Sequence, residues 1–321
     1  MIESVLSENS RLPKPLLRTL SGEKQAITPV WLMRQAGRYL PEYRALRAEK
    51  GGFLAMVYDS AAAAEITLQP LRRFAADGAI LFSDILIVPH ALGQDLQFLV
   101  GEGPHLAPRL ADADLATLVA DRTRFDPIYE TVRRVVAALP PAVTMLGFAG
   151  SPWTVATYMV HGEGSRDQAE ARRMAYAEPG RFAAIIDAIT TVTIDYLCGQ
   201  IAAGAEAVQL FDSWAGTLSP AQFDRWVIQP TRVIVDAVHA RCPGTPIIGF
   251  PKGAGGKLAA YVAGTGVDAV GLDETVDPVW ADSVLPPGLP VQGNLDPLLL
   301  IAGGDELARG VDHILAAFAN R

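Results

Sequence analysis

Residues 143–153 read VTMLGFAGSPW. The first six are apolar or nearly so and show no alternation, and Gly150-Ser151-Pro152 then stops the run. A strand wetted on one face alternates, whereas a strand covered on both faces does not. The stretch therefore predicts a parallel strand sandwiched between helices, with a loop at its carboxyl end. The same signature recurs at 29–33 (PVWLM), 78–83 (GAILFS), 207–211 (AVQLF), 246–250 (PIIGF), 268–272 (DAVGL) and 290–292 (PVQ).

Helical patterns lie between these runs. They are expected at 60–76, 127–139, 179–203, 219–241 and 303–320. The second carries Ile128, Val132, Val135, Val136 and Leu139 on one face, and the fourth opens with Ser-Pro, an N-cap before Pro at the first helical position. The last aligns Leu307, Val311, Ile314, Leu315 and Phe318 on one stripe. Strand-then-helix repetition implies right-handed crossovers and one parallel sheet, an α/β chain of the (β/α)8 barrel kind with seven of its strands visible. Segment 88–109 reads as an insertion after the second strand. No Ser/Gly linker or charge run divides the chain, so 1–321 is expected to be a single domain.

The chain has 321 residues, 50% of them hydrophobic and 19% charged. That composition fills a core and excludes a disordered chain. Its formal net charge of −8 argues against nucleic acid or an anionic membrane as partner, but a few arginines can still line a pocket for an anionic small molecule. The opening MIESVLSENSRLPKPLLRTL has no apolar core of a secretory signal, and no uninterrupted apolar run approaches the ~20 residues of a membrane span. Cys198 and Cys242 are too few for a disulfide scaffold and are expected to be inert thiols of a cytosolic protein.

Familiar motifs fail on inspection. PKGAGGKL (251–258) lacks the first glycine and the final Ser/Thr of a phosphate-binding loop, and a dinucleotide GxGxxG starting at Gly253 breaks at Leu258. Ser151 lacks the flanking glycines of a nucleophile elbow. His239 and Cys242 stand three apart with no third ligand near them in sequence, so a solvated helix end outweighs a metal site.

In parallel α/β folds chemistry collects at the carboxyl ends of strands. The residues just past the apolar runs are Arg34-Gln35-Ala36-Gly37-Arg38, Asp84, Gly150-Ser151 with Tyr158 beyond, Asp212-Ser213, Lys252, Asp273-Glu274 and Gly293-Asn294. Singly, the arginines read as solvated surface, Asp84 and Ser213 as caps, and Tyr158 as a packing aromatic. Jointly, two arginines and a lone acid leave adjacent strands at one end of the sheet. Such a mouth suits a polyanion held by guanidinium forks, with an ionised aspartate facing a cation that forms during reaction.

The strings PVWLMRQAGRYLPEYRALR (29–47), FSDIL (82–86), GFAGSPWTVATYMVHG (147–162), QLFDSWAG (209–216) and QGNLDP (292–297) resemble the uroporphyrinogen decarboxylase family of haem biosynthesis, in collinear order over nearly the whole chain. The resemblance implies a TIM-type barrel, a cytoplasmic homodimer, no metal or organic cofactor, and uroporphyrinogen III as substrate. Its four acetate side chains lose carbon dioxide to leave coproporphyrinogen III. It implies catalytic roles for Asp84, Arg34, Arg38 and Tyr158. It implies a substrate-binding set of Arg34, Gln35, Ala36, Gly37, Arg38, Arg47, Asp84, Phe148, Tyr158, Phe211 and Ser213. The proton donor, an arginine or an acid, is left open by it.

Family members are expected to continue past the last helix into an eighth strand and a Gly-His-Gly loop. The chain as given is thus expected to be a seven-stranded barrel with a seam between the first and last strands, beside Arg34 and Arg38. Two other readings stay open: a non-catalytic tetrapyrrole-binding barrel, and a related zinc- and corrinoid-dependent methyltransferase, which neither cysteine is placed to serve.

Overall fold

The computed structural model describes residues 14–99 and 103–321. Positions 1–13, most of the opening stretch read above for a secretory signal, lie outside the described residues. So do 100–102 within the expected insertion.

The strands are β1 (Gly78–Ile80), β2 (Asp95–Leu99), β3 (Gly103–Ala107), β4 (Thr144–Gly150), β5 (Ala207–Asp212), β6 (Ile247–Pro251), β7 (Ala269–Gly271) and β8 (Val291–Gln292). Six form one all-parallel sheet in the order β1-β4-β5-β6-β7-β8. The other two, β2 and β3, form the antiparallel hairpin that accounts for the insertion at 88–109. The α/β barrel architecture follows, with helices covering the sheet.

The expected first strand at 29–33 does not form, so the barrel count is six among the described residues, not seven. Its backbone groups are satisfied elsewhere. Val30 exchanges two bonds with Asp77, one of them to the carboxylate (2.7 Å). Leu32 N–H donates to the Gln35 side chain at 3.2 Å, its carbonyl accepts from Gln35 N–H, and Pro29 has no N–H to offer. Two bonds to one residue hold the segment against the sheet but make no ladder. Within the described residues β1 and β8 are therefore the edges, and the expected seam, which was to have 29–33 as one of its strands, is not framed as expected.

Expected helices appear within a few residues of their predicted ends, at Ser60–Arg73, Asp126–Ala138, Pro179–Ala202 and Gly304–Ala317. The segment from Pro220 to Arg241 is interrupted by a π turn at Asp224–Ile228. Pro179–Ala202 is long and apolar enough to cross a bilayer, but 56% of its apolar window is buried inside the protein. It packs against β4, β5 and the helices Asp126–Ala138, Pro152–His161 and Gln229–Arg241.

Register decides which side chains meet. Phe148 pairs with Gln209, Gly150 with Phe211, Phe211 with Phe250, and Gly271 with Gln292. Residues two apart share a face, so Phe148, Gln209, Phe211, Phe250 and Gln292 point into the barrel. Asp212 faces the helices. A Cβ at Gly271 would come within 2.8 Å of the Phe250 ring and 3.6 Å of Met33. The bare position keeps that layer of the lumen open.

Loops at the carboxyl ends are packed backbone to backbone. Gly216 donates its N–H to Lys252 O (3.0 Å), and a Cβ there would fall 2.6 Å from the Gly253 carbonyl oxygen. No side-chain rotation relieves that contact. Gly216→Ala is expected to cost about 1–3 kcal/mol by overpacking and to lower the melting temperature by circular dichroism. A variant melting with the parent would show that these loops are not in contact in solution.

Candidate active site

The site begins where β1 ends early. Leu81 N–H still bonds Leu146 O at 2.9 Å. One residue on, Phe82 N–H donates to Thr67 Oγ1 (3.0 Å) on the covering helix. Ser83 Oγ lies 3.2 Å from the Tyr196 hydroxyl. On β4, Gln200 takes both backbone groups of Phe148, at 2.9 Å each. With that part of β4 occupied, the chain leaves the sheet and delivers Asp84 to the mouth. Gly150 makes room for the turn, since a Cβ there would lie 2.9 Å from Ile85 Cβ.

Asp84 accepts one hydrogen bond, from Leu86 N–H to Oδ1 at 2.8 Å. Burial pushes its carboxyl up to about 6, against the opposing pull of the Leu86 N–H and the Arg34 charge. Tyr158, on helix Pro152–His161, is also raised, first by burial and next by the charge of Asp84, with Arg34 opposing. Trp214 is hydrogen-bonded to the Tyr158 hydroxyl and lowers it. Its indole N–H can only donate. The Arg34 charge thus acts on both Asp84 and Tyr158, and the Asp84 charge acts on Tyr158.

The remaining expected residues surround this group in different ways. Arg34 and Arg38 are exposed, and neither has a carboxylate within ion-pair distance among the described residues. Gln35 is buried and structural: its amide donates to Gly78 O (3.0 Å), and its carbonyl accepts from the Tyr39 hydroxyl. Ala36 and Gly37 are half-buried in the same loop, where the Gly37 Cβ position faces the Tyr39 ring. Arg47 is half-buried on helix Pro41–Lys50. Phe148 and Phe211 meet edge to face at 5.6 Å, and Phe211 meets Phe250 likewise at 6.0 Å. Ser213 is half-buried one residue past β5.

Sequence reasoning missed the element that holds the β5 loop. Asp212 is buried, and Thr154 donates to its Oδ1 at 2.5 Å. The same Thr154 oxygen accepts Trp214 N–H at 3.0 Å, and Trp214 O accepts the Trp153 indole N–H at 3.0 Å. Asp212 Oδ2 has no partner, and burial pushes this carboxyl up to about 7. Asp212 lies at a strand end and so was visible, but its pairing with Thr154 depends on strand parity. Asn294 is similar: its amide bonds Asp273 O (2.9 Å) and Val276 O (2.6 Å), tying the loop after β8 to the one after β7. His239 turns to Asp268 at 2.9 Å and Cys242 to Cys198. Among the described residues no three His, Cys, Asp or Glu side chains converge as metal ligands would.

The family model for "Uroporphyrinogen decarboxylase (URO-D)" matches residues 12–321. A uroporphyrinogen decarboxylase of Novosphingobium aromaticivorans is 67% identical over 310 residues, covering 97% of this chain and 91% of the relative. One from Sphingopyxis alaskensis is 68% identical over 309 residues, covering 96% and 90%. One from Rhodospirillum rubrum is 51% identical over 312 residues, covering 97% and 90%. Among solved structures, a methyltransferase from Methanosarcina mazei superposes with a TM-score of 0.77 at 16% identity, covering 94% of this chain and 89% of that one. At that identity the likeness concerns the fold.

Two measurements test the buried acids. Asp84 titrates from 3.8 when free to about 6 when folded. The folded chain therefore binds the extra proton between those values, and stability falls as pH rises through that window. Above it the full penalty stands, roughly 3 kcal/mol. Asp84→Asn is expected to melt higher than the parent at pH 8, with the difference fading by pH 4. An Asn variant equally stable at both pH values would place Asp84 in bulk-like solvent. Thr154→Val removes the donor to Asp212 and the acceptor for Trp214, an expected loss of about 1–3 kcal/mol, with Thr154→Ser close to the parent. Equal melting of all three would dissolve the proposed lock.

Proposed function

This chain belongs to the uroporphyrinogen decarboxylase family, and we propose that Arg34, Arg38, Asp84 and Tyr158 carry the family's reaction at the mouth of its barrel. The reaction is the cofactor-independent removal of carbon dioxide from the four acetate side chains of uroporphyrinogen III, giving coproporphyrinogen III in haem biosynthesis. The observation that supports the site assignment is a buried Asp84 carboxyl just beyond β1 that feels the Arg34 charge and in turn acts on Tyr158, on the helix after β4.

The substrate has eight carboxylates, and the free guanidiniums of Arg34 and Arg38, with Arg47 behind them, supply planar forks for that charge. The edge-to-face ring set Phe148, Phe211 and Phe250 offers the macrocycle an apolar wall. Decarboxylation leaves an electron pair on carbon. A pyrrole absorbs that pair once a ring carbon is protonated, so the ring itself replaces a cofactor sink. The protonated pyrrole is a cation, and ionised Asp84 stabilises it in a site that already excludes most water. The same carboxylate accepts the pyrrole N–H groups and centres the ring. Tyr158, fixed by Trp214, and Ser213 line the opposite side. A cytoplasmic homodimer belongs to the same proposal and rests on the family resemblance; sedimentation would read the oligomeric state.

Asp84→Asn is expected to lower kcat by at least ~10²-fold, the usual effect of removing one electrostatic stabiliser. Tyr158→Phe should cost less, one neutral hydrogen bond of about 0.5–1.5 kcal/mol. Near-parental turnover with Asn at 84 would remove the cation-stabilising role, and a larger loss at Tyr158 would reverse the assignment. In the parent, kcat/KM should fall as pH drops below about 6, the value to which burial lifts Asp84. A flat profile between pH 5 and 8 would contradict it. Arg34→Lys and Arg38→Lys should each weaken substrate, since lysine keeps the charge and loses the fork. Unchanged porphyrinogen affinity would take that arginine out of the site.

A further inference from the structure

The chain has two cysteines, both free, and the fold brings them together. Cys198 is buried on helix Pro179–Ala202, and Cys242 is half-buried at the end of helix Gln229–Arg241. Burial pushes the Cys198 thiol up, and the neighbouring Cys242 pushes it further. Both line one open cavity of about 690 Å³ on the outside of the helix layer, with Arg122, Tyr129, Asp195, Gly199 and Arg241 among its walls.

The geometry around the sulfurs is held from both sides. Asp195 lies one helical turn before Cys198, on the same face. Arg122 Nε donates to Asp195 Oδ2 at 2.6 Å, and Arg241 Nη1 donates to Oδ1 at 2.8 Å. Arg241 is the chain neighbour of Cys242. One carboxylate therefore ties together the two segments that carry the thiols. Gly199 shapes the wall: a Cβ there would fall 2.1 Å from Tyr129 Cζ, so its absence lets the ring close against the helix.

We propose that Cys198 and Cys242 form a redox-active dithiol site that accepts a peroxide and closes to an intramolecular disulfide. The thiolate of Cys242, the more accessible sulfur, attacks one oxygen of hydrogen peroxide. The O–O bond breaks, leaving a sulfenic acid on Cys242 and, after protonation, one water. The sulfur of Cys198 then attacks the sulfenic sulfur. The S–O bond breaks, the S–S bond forms, and the thiol proton leaves with the oxygen as a second water. Two thiols lose two electrons, and one peroxide becomes two waters. Burial pushes the Cys198 thiol up, which leaves the first attack on peroxide to the more accessible Cys242. The site lies where chain enters the sheet, since Cys242 precedes β6, at the opposite end from Asp84. It is independent of the active-site assignment.

With two cysteines in the chain the test is unambiguous. The purified full chain is treated with a few equivalents of hydrogen peroxide, then alkylated with N-ethylmaleimide and weighed intact under non-reducing conditions. The reduced protein is expected to take two adducts. The oxidised protein is expected to take none, to weigh two hydrogens less, and to yield one peptide linking Cys198 to Cys242. In Cys198→Ser, dimedone should trap a sulfenic acid on Cys242. Two adducts after peroxide, a sulfinic acid on Cys242 in the parent, or a disulfide joining two chains would each overturn the proposal.

Discussion

The proposed chemistry at the mouth of this barrel depends on a negative charge on Asp84 where burial opposes it. Few groups oppose the penalty: one N–H from Leu86 and the field of Arg34. A second strong donor would hold the carboxyl ionised more cheaply, yet in the proposed site it would also compete with the pyrrole N–H groups for the same oxygens. The site leaves much of the hydrogen-bonding capacity of Asp84 unused, and stability is what it gives up. Asp212 shows the alternative. It too is buried and raised, but it points to the helix layer, receives Thr154, and serves the loop instead of the lumen. Asp212 ends β5 and follows the parity of that strand into the helix layer, whereas Asp84 lies past the end of β1 in a segment that has left the sheet.

The shortness of β1 is as consequential as the acid itself. Three residues pair with β4, after which Thr67 and Gln200 take the backbone partners that a longer strand would have used. Buried backbone groups demand partners, so these two side chains are what allow the chain to leave the sheet without an unsatisfied edge. Were Gln200 apolar, Phe148 would lose both its bonds and the exit of residues 82–84 would lose its rim. The aspartate is thus placed by residues on two covering helices, neither of which reaches the lumen.

Strand-by-strand, the architecture was legible because burial on both faces leaves a plain mark: unbroken apolar runs with a stop. That mark misled at 29–33. PVWLM is as apolar as its neighbours, but its hydrogen-bonding needs are met by Asp77 and Gln35, and side-chain substitution for a ladder leaves no trace in hydropathy. Of the candidate site, Asp84 was marked by its place just past the run at 78–83, whereas Arg34 follows a run that forms no strand and Tyr158 lies on a helix, so those two rested on the family resemblance. What lies between the site residues was not legible. The bond from Thr154 to Asp212, the shared oxygen that fixes Trp214, and the indole against Tyr158 each join positions whose nearness depends on register and helix rotation. Trp214 stood inside the quoted string QLFDSWAG and was passed over, because an aromatic after a strand reads as packing until its N–H is seen to have a partner.

The two ends of the sheet are held by different physics, and this separates what each can tolerate. At the carboxyl ends, loops touch through bare backbone, as Gly216 does with Gly253, and carboxylates or amides such as Asp273 and Asn294 stitch one loop to the next. Close backbone contact of that kind leaves little room for the loops to shift. On the outer helix layer near the amino end of β6, Asp195 bridges two exposed arginines over an open cavity, an arrangement worth little to stability in solvent. A covalent bond between Cys198 and Cys242 would join the same two segments that the Asp195 carboxylate now ties.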